Sequence, residues 1–133
     1  MGAGTWEVVA RRSWPYEGRP TWVVTHAEAL APVEGANVRP FAGDVRELVA
    51  ELEAAGLERV WLVGGGNLAG QFLEADRLDE IILTLAPTFV GRGPALADGK
   101  FPLRRFRLIS LDSAEDTEGV SLRYERAADR LPD

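Results

Sequence analysis

Three consecutive glycines, Gly64, Gly65 and Gly66, lie in the stretch WLVGGGNLAGQFL at residues 61–73, between a short apolar run and an amphipathic helix pattern. Glycine destabilises strands and helices relative to alanine, so three in a row need a physical reason. A strand that runs through glycines into a helix presents free N–H groups at the positive end of the helix dipole, which suits a phosphate or pyrophosphate. The other interpretation is a tight strand-to-helix corner. The spacing alone leaves both open.

A second glycine turn, GAGT at residues 2–5, also begins a predicted helix. The hydroxyl of Thr5 could either cap that helix or touch a phosphate. Two glycine-started helices would give a long anion such as a dinucleotide two places to bind. Neither turn is a standard nucleotide motif, because GGGNLAG lacks the Gly-Lys-Ser/Thr of a Walker loop and meets the dinucleotide fingerprint only loosely.

The other chemically competent residues are few. His26 is the only histidine and cysteine is absent, so we expect no transition-metal site. His26 follows the apolar run TWVVT and is either a surface residue or a ligand contact. Thr84, the one polar residue inside IILTLA, either hydrogen-bonds locally or faces a ligand. No serine has a nucleophile-elbow context, and the residues therefore name no catalytic group.

The clearest of the elements that must position these residues is a helix in DVRELVAELEAAG, residues 44–56. Its apolar residues recur at i, i+3, i+4 and i+7, which is the pattern of a helix with one buried face. Asp44 and Glu47 have the spacing of a capping box, and Gly56 stands where a C′ glycine terminates a helix.

The remaining pattern predicts an α/β fold. The stretch DEIILTLAP, residues 79–87, is apolar on both faces, and continuous rather than alternating hydrophobicity is typical of strands in a sheet covered by helices on both sides. We therefore expect one domain, residues 1–133, with a mixed sheet of about six strands flanked by helices. Residues 2–12 are predicted to form a glycine turn followed by one or two helical turns, with Thr5 near the N-cap, and residues 67–75 a short helix. The predicted strands are 19–26, 59–63, 79–87 and a C-terminal antiparallel hairpin of 103–113 and 119–127.

Composition restricts the partners. The 133 residues are 46% hydrophobic and 27% charged, with a formal net charge of -6, which is typical of a soluble globular domain. Negative charge opposes binding to a phosphate backbone, so we expect no nucleic-acid partner. The apolar runs are shorter than a membrane span and no secretory signal pattern is present, so we expect no membrane partner and a cytoplasmic location.

Taken in order, several segments resemble the dihydrofolate reductase-like family. The stretch LAPTFVGRGPALADG at 85–99 is similar to the bacterial branch that includes the reductase domain of riboflavin biosynthesis. The segments that carry the resemblance are MGAGTWEVV, GRPTWVVTH, ERVWLVGGGNLAGQFL, DEIILTLAPTFVGRGPALADG and the final hairpin.

This resemblance implies a dihydrofolate reductase-like fold and an NADPH-dependent reductase that transfers a hydride to a pterin-like or pyrimidine-like heterocycle. It implies that the glycine loop binds the cofactor pyrophosphate and that a cis peptide joins Gly64 to Gly65. It further implies that Thr25 and His26 meet the adenosine 2′-phosphate and that Thr84 lies near the substrate ring. The implied pyrophosphate contacts are Gly64, Gly65, Gly66, Asn67 and Leu68 on one side and Gly4, Thr5 and Trp6 on the other.

The sequence departs from this family in two respects. Ala3 and Asn67 stand where family members commonly have basic residues, so NADH is possible in place of NADPH. Family members also carry a strand, a helix and a second strand before the GAGT turn, and the chain therefore resembles an N-terminally truncated member. The helix that ordinarily holds the substrate-side acid is among the missing elements, so no catalytic residue is named.

Without the central strand, the strands at 60–63 and 81–86 lose shared partners. Either the sequence is a fragment of a longer protein, or these strands pair directly, or another chain supplies the strand, and we favour a fragment or a misassigned start. We expect this chain to be unstable or oligomeric by itself, with a homodimer as the expected assembly. The alternative to an active reductase is a catalytically inactive nucleotide-binding or structural module that keeps the fold.

Overall fold

The computed structural model describes residues 1–114 and 118–127, which form helices and strands in a mixed α/β arrangement. In chain order the elements are α1 (Ala3–Val9), β1 (Pro20–Val24), β2 (Asn37–Phe41), α2 (Val45–Ala54), α3 (Gly66–Glu74), β3 (Glu80–Leu85), β4 (Phe106–Ala114) and β5 (Gly119–Arg126). The α/β fold class predicted from the apolar patterning is confirmed.

The described strands form two sheets. β1 and β2 pair in parallel, and β3, β5 and β4 form an antiparallel sheet with β5 in the centre. The predicted C-terminal hairpin is confirmed as β4 and β5. The prediction of one mixed sheet of about six strands is wrong for the described residues, which hold five strands in two sheets. Strand β2, with the sequence NVRPF, was not predicted, because most of its residues are exposed and because proline is uncommon inside a strand.

The predicted strand at residues 59–63 is also absent from the described ladders. A strand requires a neighbour that supplies N–H and C=O partners, and an apolar run indicates burial without specifying that neighbour. RVWLV has no such neighbour among the described residues, and its Trp61 side chain is 71% exposed. The segment instead leads directly into the glycine turn at residue 64.

Helix α2 matches its prediction closely. The Asp44 carboxylate accepts hydrogen bonds from the N–H groups of Arg46 and Glu47, and the Glu47 carboxylate accepts one from the N–H of Asp44 at 3.0 Å. This reciprocal pair satisfies donors that would otherwise lack a partner in the first helical turn. Gly56 follows the helix with a φ of 74°, as expected of a C′ glycine.

Strand β1 separates two hydrophobic clusters. The side chain of Trp22 joins a cluster formed with α2 and α3, whereas that of Val23, which is fully buried, joins a second cluster with Met1 and Trp6. Successive side chains of a strand point to opposite faces, so both faces of β1 are covered. The strand that favoured a sheet covered on both sides was DEIILTLAP, and for that strand the prediction is wrong: on β3 the side chains of Ile82 and Leu85 are 70% and 53% exposed.

Helix α1 agrees with the predicted one or two helical turns after a glycine turn. It begins at Ala3 and ends at Val9, and its N-cap is Gly2 rather than Thr5. Within the described ranges, none of the helices has the length and apolar character needed to cross a membrane.

Candidate functional site

The two glycine turns lie side by side. The N–H of Gly2 donates a hydrogen bond to the carbonyl oxygen of Gly64 at 3.2 Å. Gly2 also forms a parallel bridge with Val24 at the end of β1, where the N–H of Val24 donates to the carbonyl of Met1 at 2.9 Å. The beginning of α1 is therefore held between the end of β1 and the turn that begins α3.

The turn before α3 requires glycine at two positions. Gly64 has a φ of 99° and Gly65 a φ of 47°, in the region that side chains with a Cβ atom rarely adopt. Two consecutive positive-φ residues reverse the chain into the helix with trans peptides. The described residues contain no cis peptide bond, so the cis bond between these two glycines implied by the family resemblance is wrong.

The first turn of α3 has backbone donors without helical acceptors. The helical bonds begin with the N–H of Ala69, which donates to the carbonyl of Gly65, so the N–H groups of Gly66, Asn67 and Leu68 precede them. Gly65 is the N-cap and, as a glycine, offers no capping side chain. These three donors lie at the positive end of the helix dipole, where a negative charge is favoured.

Little side-chain bulk lies beside this turn. A Cβ atom added to Gly64 would meet no atom within 4 Å, and one added to Gly65 would lie 3.5 Å from the Thr5 hydroxyl oxygen. The Thr5 hydroxyl of α1 thus faces the glycine turn that begins α3. The N-cap of α1 is Gly2, which has no side chain to accept a capping hydrogen bond, and Thr5 is the third residue inside the helix. The interpretation of Thr5 as a helix cap is therefore wrong.

The third glycine has a different role. A Cβ atom at Gly66 would overlap the carbonyl oxygen of Ala95, and one at Gly70 would overlap the carbonyl oxygen of Asp98. The N–H of Asp98 also donates to the carbonyl of Gly66 at 2.9 Å. Segment 95–98 therefore lies directly on one face of α3, and this close approach requires both glycines. Gly70 was not singled out from the sequence, although its i, i+4 spacing from Gly66 places the two on one helix face.

The other predicted residues near the first helix occupy different environments. Gly4 is exposed, with no atom within 4 Å of a Cβ position there. The Trp6 side chain is buried in the core. The backbone N–H of Trp6 donates to the carbonyl of Gly2 at 3.0 Å. Neither the indole nor this N–H is therefore available at the surface of the turn.

Thr25 and His26 follow the end of β1 on the same side as the glycine turns, because the preceding Val24 is bridged to Gly2. The N–H of Thr25 donates to the carbonyl of Phe41 at 2.9 Å, and its hydroxyl accepts from the N–H of Ala27 at 3.1 Å. The His26 side chain is exposed. This end of the parallel pair is the position at which α/β sheets commonly bind ligands.

Asn67 and Leu68 point in opposite directions from α3. The Asn67 side chain is exposed, and its Oδ1 accepts a hydrogen bond from Nε2 of Gln71 at 2.8 Å. Leu68 is buried in the cluster with Trp22 and Phe72. Only the backbone N–H of Leu68 is thus left for a ligand, whereas Asn67 presents both its N–H and its side chain.

Thr84 lies apart from the glycine turns, on the antiparallel sheet. It is exposed on β3 and pairs across the strands with Ser121. Its face of the sheet is shared with Ile82, whose side chain is 70% exposed. In the described ladders β3 pairs with β5, whereas the glycine turns adjoin the end of β1 in the other sheet.

The electrostatics of the glycine turns come mainly from the backbone. Burial lowers the pKa of the Met1 α-amino group, which donates to the carbonyl of Trp22 at 2.8 Å. Within residues 1–114 and 118–127, no group of three or more histidine or carboxylate side chains is placed to hold a metal ion. The helix dipole of α3 and its free donors are therefore the charge-selective features of this site.

Comparison with known sequences identifies a family. The sequence model of the protein family described as the RibD C-terminal domain matches residues 8–122. An uncharacterized protein of Bacillus subtilis, YwjB, is 26% identical over 129 residues, covering 96% of this chain and 72% of that protein. The 2,5-diamino-6-ribosylamino-4(3H)-pyrimidinone 5′-phosphate reductase of Archaeoglobus fulgidus is 29% identical over 96 residues, covering 68% of this chain and 44% of that enzyme.

Solved structures show the same fold. A candidate riboflavin biosynthesis protein from Shewanella sp. PV-4 superposes with a TM-score of 0.83 at 25% identity, over 96% of this chain and 72% of its own. RibD from Acinetobacter baumannii superposes with a TM-score of 0.58 at 22% identity, over 80% of this chain and 31% of its own. The second match concerns the fold alone.

Proposed function

Because the chain belongs to the RibD C-terminal domain family, we propose that it is a reductase that transfers a hydride from NADPH, or from NADH, to a pyrimidine-like or pterin-like heterocycle. The Archaeoglobus relative is named for the reduction of a ribosylamino-pyrimidinone phosphate, which makes a phosphorylated pyrimidinone the first substrate to test. When bound, the nicotinamide supplies the hydride.

One observation carries the cofactor half of this proposal. The hydrogen bond from Gly2 to Gly64 places the N-terminus of α1 beside that of α3. The donors of Gly66, Asn67 and Leu68 and the Thr5 hydroxyl then surround a turn whose glycines present no side chains. A pyrophosphate needs several donors and close access to the backbone, and this turn offers both.

The residues present fit such a group in size as well as in charge. A Cβ atom at Gly64 would project into space free of protein atoms, which is the space that a ligand close to the main chain would use. We propose that Asn67 adds a neutral side-chain contact there. Gly4, being exposed in the first turn of α1, would contribute its backbone, and Trp6 would support that turn from the core.

We propose that Thr25 and His26 contact the adenosine end of the cofactor. Both follow β1 at the edge that carries Gly2. The exposed His26 ring could donate a hydrogen bond to a 2′-phosphate, which would favour NADPH. Ala3 and Asn67 supply no positive charge to the pyrophosphate, so the preference for NADPH depends on this histidine.

We assign Thr84 to the substrate side of the proposed enzyme. Its exposed hydroxyl lies on a strand outside the glycine turns, so it could hydrogen-bond a heterocycle without contacting the pyrophosphate. Chemistry on that side would depend on positioning the ring against the cofactor, with the proton coming from water or from another residue. We also propose that the chain acts in the cytoplasm as a homodimer.

A second candidate function is a nucleotide-binding module without turnover. The neutral Ala3 and Asn67, at positions where family members commonly have basic residues, favour weak dinucleotide binding. The two candidates share the glycine site and differ only in whether substrate is reduced.

Titration of the purified chain with NADPH and with NADH, followed by tryptophan fluorescence, tests the shared site. We expect saturable quenching with NADPH. No response to either dinucleotide at millimolar concentration would contradict both candidates. Oxidation of NADPH is then measured with the ribosylamino-pyrimidinone phosphate and with dihydrofolate, and binding without oxidation of NADPH by either would leave the module as the function.

A further inference from the structure

Strand β4 is a long exposed edge. It is the outer strand of the antiparallel sheet, and among the described residues nothing pairs with its free side. Large apolar side chains are exposed along it, with Leu111 at 61% and Leu108 and Ile109 at somewhat less. An unpaired edge with apolar side chains is a template for another strand. Proteins normally cover such an edge or place charged side chains along it. The apolar side chains of β4 therefore indicate that another strand pairs with it.

A β-bulge sets which side chains of β4 share a face. The pairing with β5 shifts register between Leu108 and Ser110, leaving Ile109 as an extra residue. Leu108 and Leu111 consequently both lie on the face of the sheet that carries Leu122 and Tyr124 of β5. In a regular strand, residues three apart would point to opposite faces.

The same bulge brings two opposite charges to the other face. Arg107 pairs with Glu125 and Asp112 pairs with Ser121, so both lie on the face opposite the leucines. Arg107 is 74% exposed at its side chain and contacts the Glu125 carboxylate at 3.8 Å. One face of the edge thus carries a leucine at each end, and the other face carries a cation at one end and an anion at the other.

We propose that β4 is the dimer interface of this protein, pairing antiparallel with β4 of a second copy about a two-fold axis between Ile109 and Ser110. A two-fold axis perpendicular to a sheet keeps each face in common between the copies and reverses the strand direction. Leu108 of each copy then lies opposite Leu111 of the other, and Arg107 lies opposite Asp112.

Charge complementarity selects this occupant and this register. Each Asp112 would lie beside the Arg107 of the second copy, so that the arginine stands between that aspartate and its own Glu125. Opposite charges directly across an antiparallel pair stabilise it, whereas like charges destabilise it. The symmetry makes the contact twice with a single surface, which an unrelated partner would have to match independently.

The leucine face supports the same register. The β-sheet pairing already aligns Leu83, Leu122 and Leu111 across one copy, and Ile81, Tyr124 and Leu108 in a second row. In the dimer, each Leu111 would join its row to the Leu108 row of the second copy. The result is a continuous six-stranded sheet with an apolar stripe on one face, and both β4 edges would be removed from solvent.

This interface deepens the homodimer proposed above and rests on it, but it does not involve the glycine turns. Its test is the oligomeric state measured by analytical ultracentrifugation of the unmodified chain and of charge variants. We expect the unmodified chain to be a dimer. Arg107→Asp and Asp112→Arg should each weaken the dimer by about tenfold or more, since each places like charges opposite each other twice.

The double variant, with Arg107→Asp and Asp112→Arg together, should restore dimerisation because the opposite charges are exchanged rather than lost. Arg92→Asp and Glu28→Arg, which reverse exposed charges outside β4, are the matched controls and should remain dimeric. Circular dichroism checks that each variant is folded, and the double variant keeps the test decisive if a single one is not.

Cross-linking measures the register directly, because the chain contains no cysteine. A mixture of the Leu108→Cys and Leu111→Cys chains should form a disulfide between copies under mild oxidation, and neither chain alone should do so efficiently. A dimer unaffected by either charge reversal would overturn this interface while leaving the homodimer standing. A monomer at every concentration would overturn both, and neither result would alter the dinucleotide titration.

Discussion

The N–H of Gly2 donates a hydrogen bond to the carbonyl oxygen of Gly64 across 3.2 Å, joining two glycine turns that are far apart in the sequence. Each turn begins a helix, so the bond brings two helix N-termini to one place. Thr5 of the first helix faces Gly65 of the second turn. The proposed pyrophosphate site is thus a tertiary arrangement of two local motifs.

Replacing Gly64 with alanine should weaken dinucleotide binding by about tenfold, because the φ of 99° would strain the turn that presents the helix donors. Gly18→Ala is the matched control, since Gly18 has a φ of 71° and open space around it. It should lower stability to a similar extent without changing the dissociation constant. Fluorescence titration and thermal unfolding measure the two effects, and equal binding losses in both variants would count against the site.

Substitutions of Asn67 should change stability and binding in opposite directions. Asn67→Asp places a negative charge in the first turn of α3, which should raise stability by about 0.3–1 kcal/mol through the helix dipole. The same charge should weaken binding of NADPH several-fold by repelling phosphate. Asn67→Lys should do the reverse in both measurements. A lysine variant that binds no more tightly than the unmodified chain would indicate that the phosphates lie elsewhere.

Gly70→Ala should lower the free energy of unfolding by about 1–3 kcal/mol, because its Cβ would overlap the carbonyl of Asp98. Gly4→Ala, also within a helix but with open space around it, should be neutral or stabilising. Urea unfolding of both variants compares them. A neutral Gly70→Ala variant would show that segment 95–98 is free to move away from α3.

Glu51→Ala should destabilise the protein by about 1–3 kcal/mol. The Glu51 carboxylate accepts a hydrogen bond of 2.6 Å from the indole N–H of Trp22, which is otherwise in the core, and its removal leaves that donor unsatisfied. Glu53→Ala, on the same helix, loses only an exposed ion pair with Arg77 and should change stability by less than about 1 kcal/mol. Equal effects in urea unfolding would show that the indole finds another partner.

Thr84→Val should raise the KM for the heterocyclic substrate several-fold while leaving the dissociation constant of NADPH unchanged, since Thr84 lies on the sheet away from the glycine turns. Valine keeps the shape and strand preference of threonine and removes only the hydroxyl. Ser121→Ala, the cross-strand neighbour, is the control for a general effect on this face. An unchanged KM in Thr84→Val would remove this residue from the substrate side.

Local patterns predicted the elements whose partners lie nearby in sequence. The capping box of Asp44 and Glu47, the end of α2 at Gly56 and the hairpin of β4 and β5 all depend on residues a few positions apart or on one adjacent strand. The N-cap of the first helix was less accurate: it was expected near Thr5, whereas Gly2, which is bridged to the end of β1, is the N-cap.

The strand predicted at 59–63 shows the limit of such patterns. Its apolar residues satisfied the strand pattern, but the ladder depends on a neighbour that the pattern does not specify, and none is found among the described residues. Similarly, the bulge at Ile109 cannot be seen in the alternation of β4, yet it decides which charges and leucines share a face.

The sequence by itself determined the α/β class, the capped helix α2 and the positions of two glycine turns, since these follow from periodicity and from the conformational freedom of glycine. Only the tertiary structure divided the roles of the three glycines. Gly64 and Gly65 make the turn, whereas Gly66 accommodates the backbone of Ala95. It also placed Thr84 on another sheet, because hydrogen bonds and close contacts between distant segments form only when the chain is folded.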